Sequence, residues 1–163
     1  MARRAFYSFH FKPDCQRAAQ VRNMGVVDGN VPVSDNDWEK VTSGGEGAIK
    51  KWIDEQLTGR GCAVVLVGTN TAGRKWITYE IQRSWDLGKG VLGVHIHNLK
   101  NLDGSQCTKG TNPFWYATNG STALAQIVSL YDPPYSDSKQ VYDHIKSNLA
   151  DWIEKAVELR GKY

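Results

Sequence analysis

The stretch Ala63 to Val67 (AVVLV), opened by Gly61 and closed by Gly68, is the strongest constraint on what this chain can fold into. An unbroken aliphatic run, largely β-branched, offers no position that could face water from either side of a strand. Such a run belongs to a strand covered on both faces, the condition of a parallel sheet held between helices. Ala5 to Phe9 (AFYSF) and Val91 to Ile96 (VLGVHI) read the same way, and Gln126 to Tyr131 (QIVSLY) reads as a fourth strand.

Helical spacing fills the intervals. Asp14 to Asn23 reads as a first helix, with Pro13 near its start. Gly47 to Leu57 places Ile49, Trp52, Ile53 and Leu57 on one face, and Lys75 to Leu87 carries an Ile77, Ile81, Trp85 stripe up to Gly88. A last helix from about Ser138 repeats Val141, Ile145, Leu149, Trp152, Ile153 and Ala156 at helical intervals. Strands alternating with helices predict βαβ units with right-handed crossovers, an α/β class with a central parallel sheet. No repeat and no domain-length linker interrupts the 163 residues, so residues 1–163 are expected to form a single domain.

In such a sheet the strand-to-helix loops gather at the carboxyl edge, where ligands bind. Those loops are 10–14 (HFKPD), 68–75 (GTNTAGRK) and 97–115. The polar segment 25–45 is too long for a mere connector, and long loops in compact domains are often functional.

Composition narrows the classes. Hydrophobic residues at 40% and charged residues at 23% describe a globular chain, not a disordered one. A net charge of +3 with no dense basic run gives no nucleic-acid footprint. Cys15, Cys62 and Cys107 are widely spaced and odd in number, which fits neither a disulfide framework nor a zinc site. His10 and Lys12 interrupt the only candidate for a leader segment, and no apolar run approaches the ~18 residues of a membrane span. The expectation is a cytoplasmic protein with no membrane partner.

Familiar chemical motifs are missing. No GxxxxGK[ST] occurs, and Ser43-Gly44-Gly45-Glu46-Gly47 lacks the lysine of a P-loop. GTNTAG offers backbone N–H groups to a phosphate, or simply a polar turn with a capping Thr or Asn. His95 and His97 alternate at a strand end without a third ligand at recognisable spacing, which favours a polar pocket rim over a metal. Ser8 and His10 sit in no nucleophile elbow. The acidic residues of a phospho-aspartate receiver are absent.

The segment RKWITYEIQRSWD (74–86) is different. Its periodicity alone makes Glu80 a solvated helix carboxylate, paired with Arg83 at i+3. Yet its helix follows a polar loop at the ligand edge, Trp76 shares its stripe one turn earlier, and Tyr79 adjoins it. A carboxylate beside aromatic rings suits a glycosidic carbon that becomes oxocarbenium-like, with the rings holding a flat leaving group.

AFYSFHF, VSDNDWE, CAVVLVGTNTAGRKWITYEIQRSWDLGKGVLGVHIHNLK and KGTNPFW, in that order, resemble the ThsB family of TIR-like proteins of the bacterial Thoeris anti-phage system. The resemblance covers roughly residues 4 to 116, and W-x-x-x-E (Trp76, Glu80) is its most telling part. It implies a flavodoxin-like TIR fold, with a parallel sheet flanked by helices on both faces. It also implies cleavage of NAD at the nicotinamide–ribose bond, with a cyclised ADP-ribose signal that activates a separate effector. By motif match Glu80 takes the catalytic position. Ser8, Phe9 and His10, together with Trp76, fall at the nucleotide site; Asp35 and Trp38 flank the pocket and contribute to assembly, and Asn112 of NPF is carried over as a further contact. NAD enters as substrate, no cofactor or metal is implied, and self-association on activation is. Two other readings stay open on the residues: a non-catalytic TIR-like nucleotide or protein-interaction module, and an N-glycosidic enzyme of the nucleoside 2-deoxyribosyltransferase type.

Overall fold

The computed structural model describes residues 3–26 and 43–163. Strands β1 (Ala5–Phe9), β2 (Cys62–Val67), β3 (Gly90–His95) and a late two-residue strand at Leu130–Tyr131 form one parallel sheet, hydrogen-bonded in that order. Helices α1 (Phe11–Arg22), α2 (Gly45–Leu57), α3 (Lys75–Asp86) and α4 (Ser138–Arg160) flank it. Between β3 and the late strand lie a 3-10 turn (Pro113–Tyr116), a small hairpin of β4 (Thr118–Asn119) and β5 (Thr122–Ala123), and a second 3-10 turn (Leu124–Gln126). The late strand is β6. This is the α/β, flavodoxin-like TIR architecture.

The alternation of side chains across a strand sorts the core into two layers. Cys62, Val64 and Leu66 of β2 face α1 and α4, where they meet Ala18, Val21, Ile145, Leu149 and Ile153. Val65 and Val67 face the other way, onto Ile77, Ile81 and Trp85 of α3. Phe6 of β1 covers Ile49, Ile53 and Leu57 of α2 on that same side. Burial of β2 on both faces is therefore complete, as its unbroken apolar run requires.

Two boundaries differ from the sequence reading by more than two residues. The first helix begins at Phe11, three residues before Asp14, because Pro13 falls in the first turn, where a missing N–H breaks no helical bond. The expected strand 126–131 is only Leu130–Tyr131. Its first half turns instead: the N–H groups of Ile127 and Val128 both donate to the Leu124 carbonyl, at 2.9 and 2.8 Å. That local closure puts Leu124 and Val128 together in the core one helical turn apart, whereas a strand would hold them about 13 Å apart. The short strand is held from outside by Tyr131 stacked on Trp152 of α4, with centroids 4.2 Å apart.

Register places Phe9 beside Leu66 and Val67 beside His95, so β1, β2 and β3 end at one edge. The loops after them meet there. Among the described residues no helix is long and apolar enough to cross a membrane.

Candidate active site

Helix α3 carries two adjacent stripes at four-residue spacing. Ile77, Ile81 and Trp85 enter the core beneath β2, while Trp76, Glu80 and Ser84 turn toward β1 and α2. Ser8 points from β1 into the same layer as Phe6, two residues earlier on the same face. The two meet: the Ser8 hydroxyl donates to Glu80 Oε2. Both are buried, with Ser8 1% and Glu80 7% exposed. The i+3 pair that local spacing predicts does not form. Arg83 Nε lies 2.9 Å from Asp54 Oδ1 on α2, which leaves Glu80 without an ion-pair partner among the described residues.

Burial without a counter-charge disfavours the ionised form, so the Glu80 carboxyl is pushed up to about 8, against a small opposing pull from the Ser8 hydroxyl. At neutral pH this carboxyl is largely protonated. It is not the solvated carboxylate that periodicity predicts.

Glu80 lies on a pocket of about 1020 Å³ at the carboxyl edge of the sheet. The apolar side is made by Phe6, Phe9, Phe11, Trp52 and Trp76. Trp76 is fixed by an edge-to-face contact with Tyr79 (5.7 Å, 77°) and by Lys75 Nζ 5.1 Å from its ring centre. The polar side comes from His10, Lys12, Thr69, Asn70, Arg74 and Thr111. Lys75 also lines the pocket, with its ammonium paired to Glu46 of α2. Burial and the nearby Arg74 charge both hold the His10 imidazole below its ordinary range, so it is neutral near pH 7.

Close backbone approach holds the three loops together. A Cβ at Gly110 would run into the Gly68 carbonyl, and one at Gly68 into the Asp14 carboxylate. Asp14 and Arg17 form a buried pair on α1 (3.1 Å), and Arg17 also donates to the carbonyls of Leu99 (2.8 Å) and Ser105 (3.2 Å). The first turn of α1 thus pins the loop after β3.

Of the residues named from sequence, Ser8, Phe9, His10, Trp76 and Glu80 converge at this pocket. Asn112 sits beside the pocket residue Thr111, and its side-chain oxygen accepts from the Phe114 N–H at 2.8 Å, capping the 3-10 turn. Asp35 and Trp38 lie outside the described residues. His95 and His97 pack edge to face, 5.5 Å apart and away from the pocket lining; burial holds His95 down at about 4 and lowers His97 as well. Among the described residues no group of three or more His, Cys, Asp or Glu could hold a metal. Lys12, Trp52 and Arg74 were not singled out from sequence. Lys12, in the first turn of α1, and Arg74, at the N-cap of α3, fall within the edge segments 10–14 and 68–75 marked by topology, whereas Trp52 reads as one more apolar helix position.

The family model for the Thoeris protein ThsB, TIR-like domain, matches residues 6–101, from β1 through β3 into the following loop. A protein of Bacillus cereus (strain MSX-D12) named "Putative cyclic ADP-D-ribose synthase ThsB1" is 34% identical, over 81% of this chain and 71% of its own length. The matched span contains the Ser8–Glu80 pair and α3 entire. With the parallel sheet and the carboxyl-edge pocket, these likenesses show that the chain belongs to the ThsB family of TIR-like proteins.

Proposed function

We propose that this chain cleaves NAD between nicotinamide and ribose. It releases nicotinamide and turns the ADP-ribose portion into a cyclic signal that activates a separate effector in anti-phage defence. The observation that carries the reading is Glu80: a buried carboxyl, held by Ser8, beside aromatic rings on an open pocket. Family membership and the name of the Bacillus cereus relative support it.

The chemistry follows from those groups. As the glycosidic bond breaks, its electron pair moves onto the nicotinamide nitrogen and neutralises the pyridinium, while positive charge grows on the ribose ring. Ionised Glu80 stabilises that charge and accepts from the ribose hydroxyls. Trp76 and the phenylalanine rings hold the flat leaving group and exclude water. Lys12 and Arg74, beside the amino ends of α1 and α3, face the diphosphate. A nucleophile within the ADP-ribose portion, or water, then attacks the anomeric carbon and loses one proton. Each NAD thus yields nicotinamide, cyclic or linear ADP-ribose, and a proton. Self-association on activation completes the proposal, with gating of the site by assembly.

The test is mass spectrometry of products from purified protein and from phage-challenged cells, wild type against Glu80→Gln. The wild type should release nicotinamide and an ADP-ribose product, and the variant should lose that release by at least about a hundredfold. Equal release from both would remove Glu80 from the mechanism. A parallel incubation with deoxynucleosides distinguishes transferase chemistry, and binding of nucleotide without any product in infected cells would favour a non-catalytic module.

A further inference from the structure

Among the described residues, the buried carboxyl of Glu80 has a pocket in front of it and no ion-pair partner. The basic groups nearest to it along α3 and on α2 are engaged. Arg83, one turn on, is held by Asp54 of α2, which also meets the Tyr79 hydroxyl. Lys75, at the start of α3, is held by Glu46 of α2, and Lys50 of α2 lies over the Tyr79 ring. On the α1 side, Asp14 is engaged by Arg17. His10, Lys12 and Arg74 line the pocket, yet among the described residues none forms an ion pair with Glu80, whose carboxylate meets only the Ser8 hydroxyl. The remaining lining near Glu80 is aromatic, with Phe6 and Trp76 among it. Aromatic faces attract cations, and a buried carboxylate without a partner is stable only once a positive charge arrives.

We propose that this pocket recognises the positive charge of an oxidised pyridinium nucleotide by exchanging the Glu80 carboxyl proton for it, and so discriminates against the reduced, uncharged form of the same nucleotide. The inference rests on the reading of the site as a pyridinium-nucleotide pocket and adds its selectivity. In the exchange Glu80 gives its proton to solvent and the ligand cation supplies the compensating charge. No covalent bond changes. Without that cation the Glu80 carboxyl keeps its proton, and the carboxylate that bond cleavage requires is formed only when substrate is present.

The exchange is tested with two probes: a carbocyclic analogue of NAD, which keeps the pyridinium charge but lacks the ring oxygen needed for an oxocarbenium ion, and NADH. Binding of each to wild type and to Glu80→Gln is measured calorimetrically from pH 6.5 to 8.5, in buffers of different ionisation enthalpy. The analogue should bind wild type on the order of tenfold more tightly at the upper pH, with release of about one proton at the lower pH. NADH should bind more weakly and without that dependence. In the variant the preference for the charged form and the proton release should both vanish. Burial and the Arg74 charge lower the His10 imidazole, so its titration falls toward the acid end of this window and away from that of Glu80. Equal, pH-independent binding of both probes, in a protein that still releases nicotinamide from NAD, overturns the exchange and leaves the proposed function standing. Failure to bind either probe, with no nicotinamide release, overturns both.

Discussion

At the scale of one residue, Glu80 should set a pH dependence of stability that a glutamine removes. Its carboxyl is raised from 4.5 to about 8 in the folded chain. Between those values the folded state holds a proton that the unfolded state has lost, so stability falls as pH rises from about 4.5 to about 8. Below that window both states are protonated and the group contributes nothing; above it the full cost of burying the charge is present. Glu80→Gln should therefore gain stability over wild type as pH rises, by up to a few kcal/mol near pH 9 and with no further gain below pH 4.5. Urea unfolding of both proteins at several pH values reads this directly. A constant difference across the range would mean that folding leaves the titration of Glu80 unshifted.

At the scale of elements, the Asp14–Arg17 pair ties the first turn of α1 to the loop after β3. Arg17 reaches four acceptors, the carbonyls of Pro13, Leu99 and Ser105 and the Asp14 carboxylate. Arg17→Met strands a buried carboxylate and three carbonyls, and is expected to cost about 3–5 kcal/mol. Asp14→Asn leaves the guanidinium its carbonyl partners and should cost distinctly less. Burial already raises the Asp14 carboxyl, against the pull of Arg17, so part of the penalty for its charge exists in the native protein. Denaturant titration should show this asymmetry, and hydrogen exchange at residues 99–105 should rise in the arginine variant. Equal costs for the two substitutions would assign the stabilisation to the ion pair alone and not to the pinned loop.

At the scale of the molecule, the pocket exists because three chain segments far apart in sequence end at one sheet edge. Gly68 and Gly110 allow the second and third loops to touch backbone to backbone. Gly110→Val should push them apart, since the obstacle is a carbonyl and not the free end of a flexible side chain. The expected outcome is unchanged helix content by circular dichroism, a Tm lowered by several degrees, and nicotinamide release slowed at least about tenfold. Retained turnover would show that the site tolerates separation of these loops.

Much of this architecture is legible in the chain itself. The AVVLV run demands cover on both faces, and four-residue spacing marks the buried stripes of α3 and α4, because side-chain direction repeats with a period fixed by local backbone geometry. The same reasoning overextends at 126–131, where an apolar run closes into a turn around Leu124. It also misreads Trp52 as simple core, although that ring lines the pocket.

What the sequence by itself determined is the class of sheet, the edge where a ligand would sit, and the helix that carries Trp76 and Glu80. Only the tertiary structure decided what Glu80 is. Local spacing offers it Arg83 and water; the fold gives Arg83 to Asp54, buries the carboxyl, and places Ser8 from 72 positions away against it. Periodicity is a property of neighbouring residues along one element. Desolvation and the loss of a counter-charge depend on what packs across from that element, and so they appear only when the chain has folded.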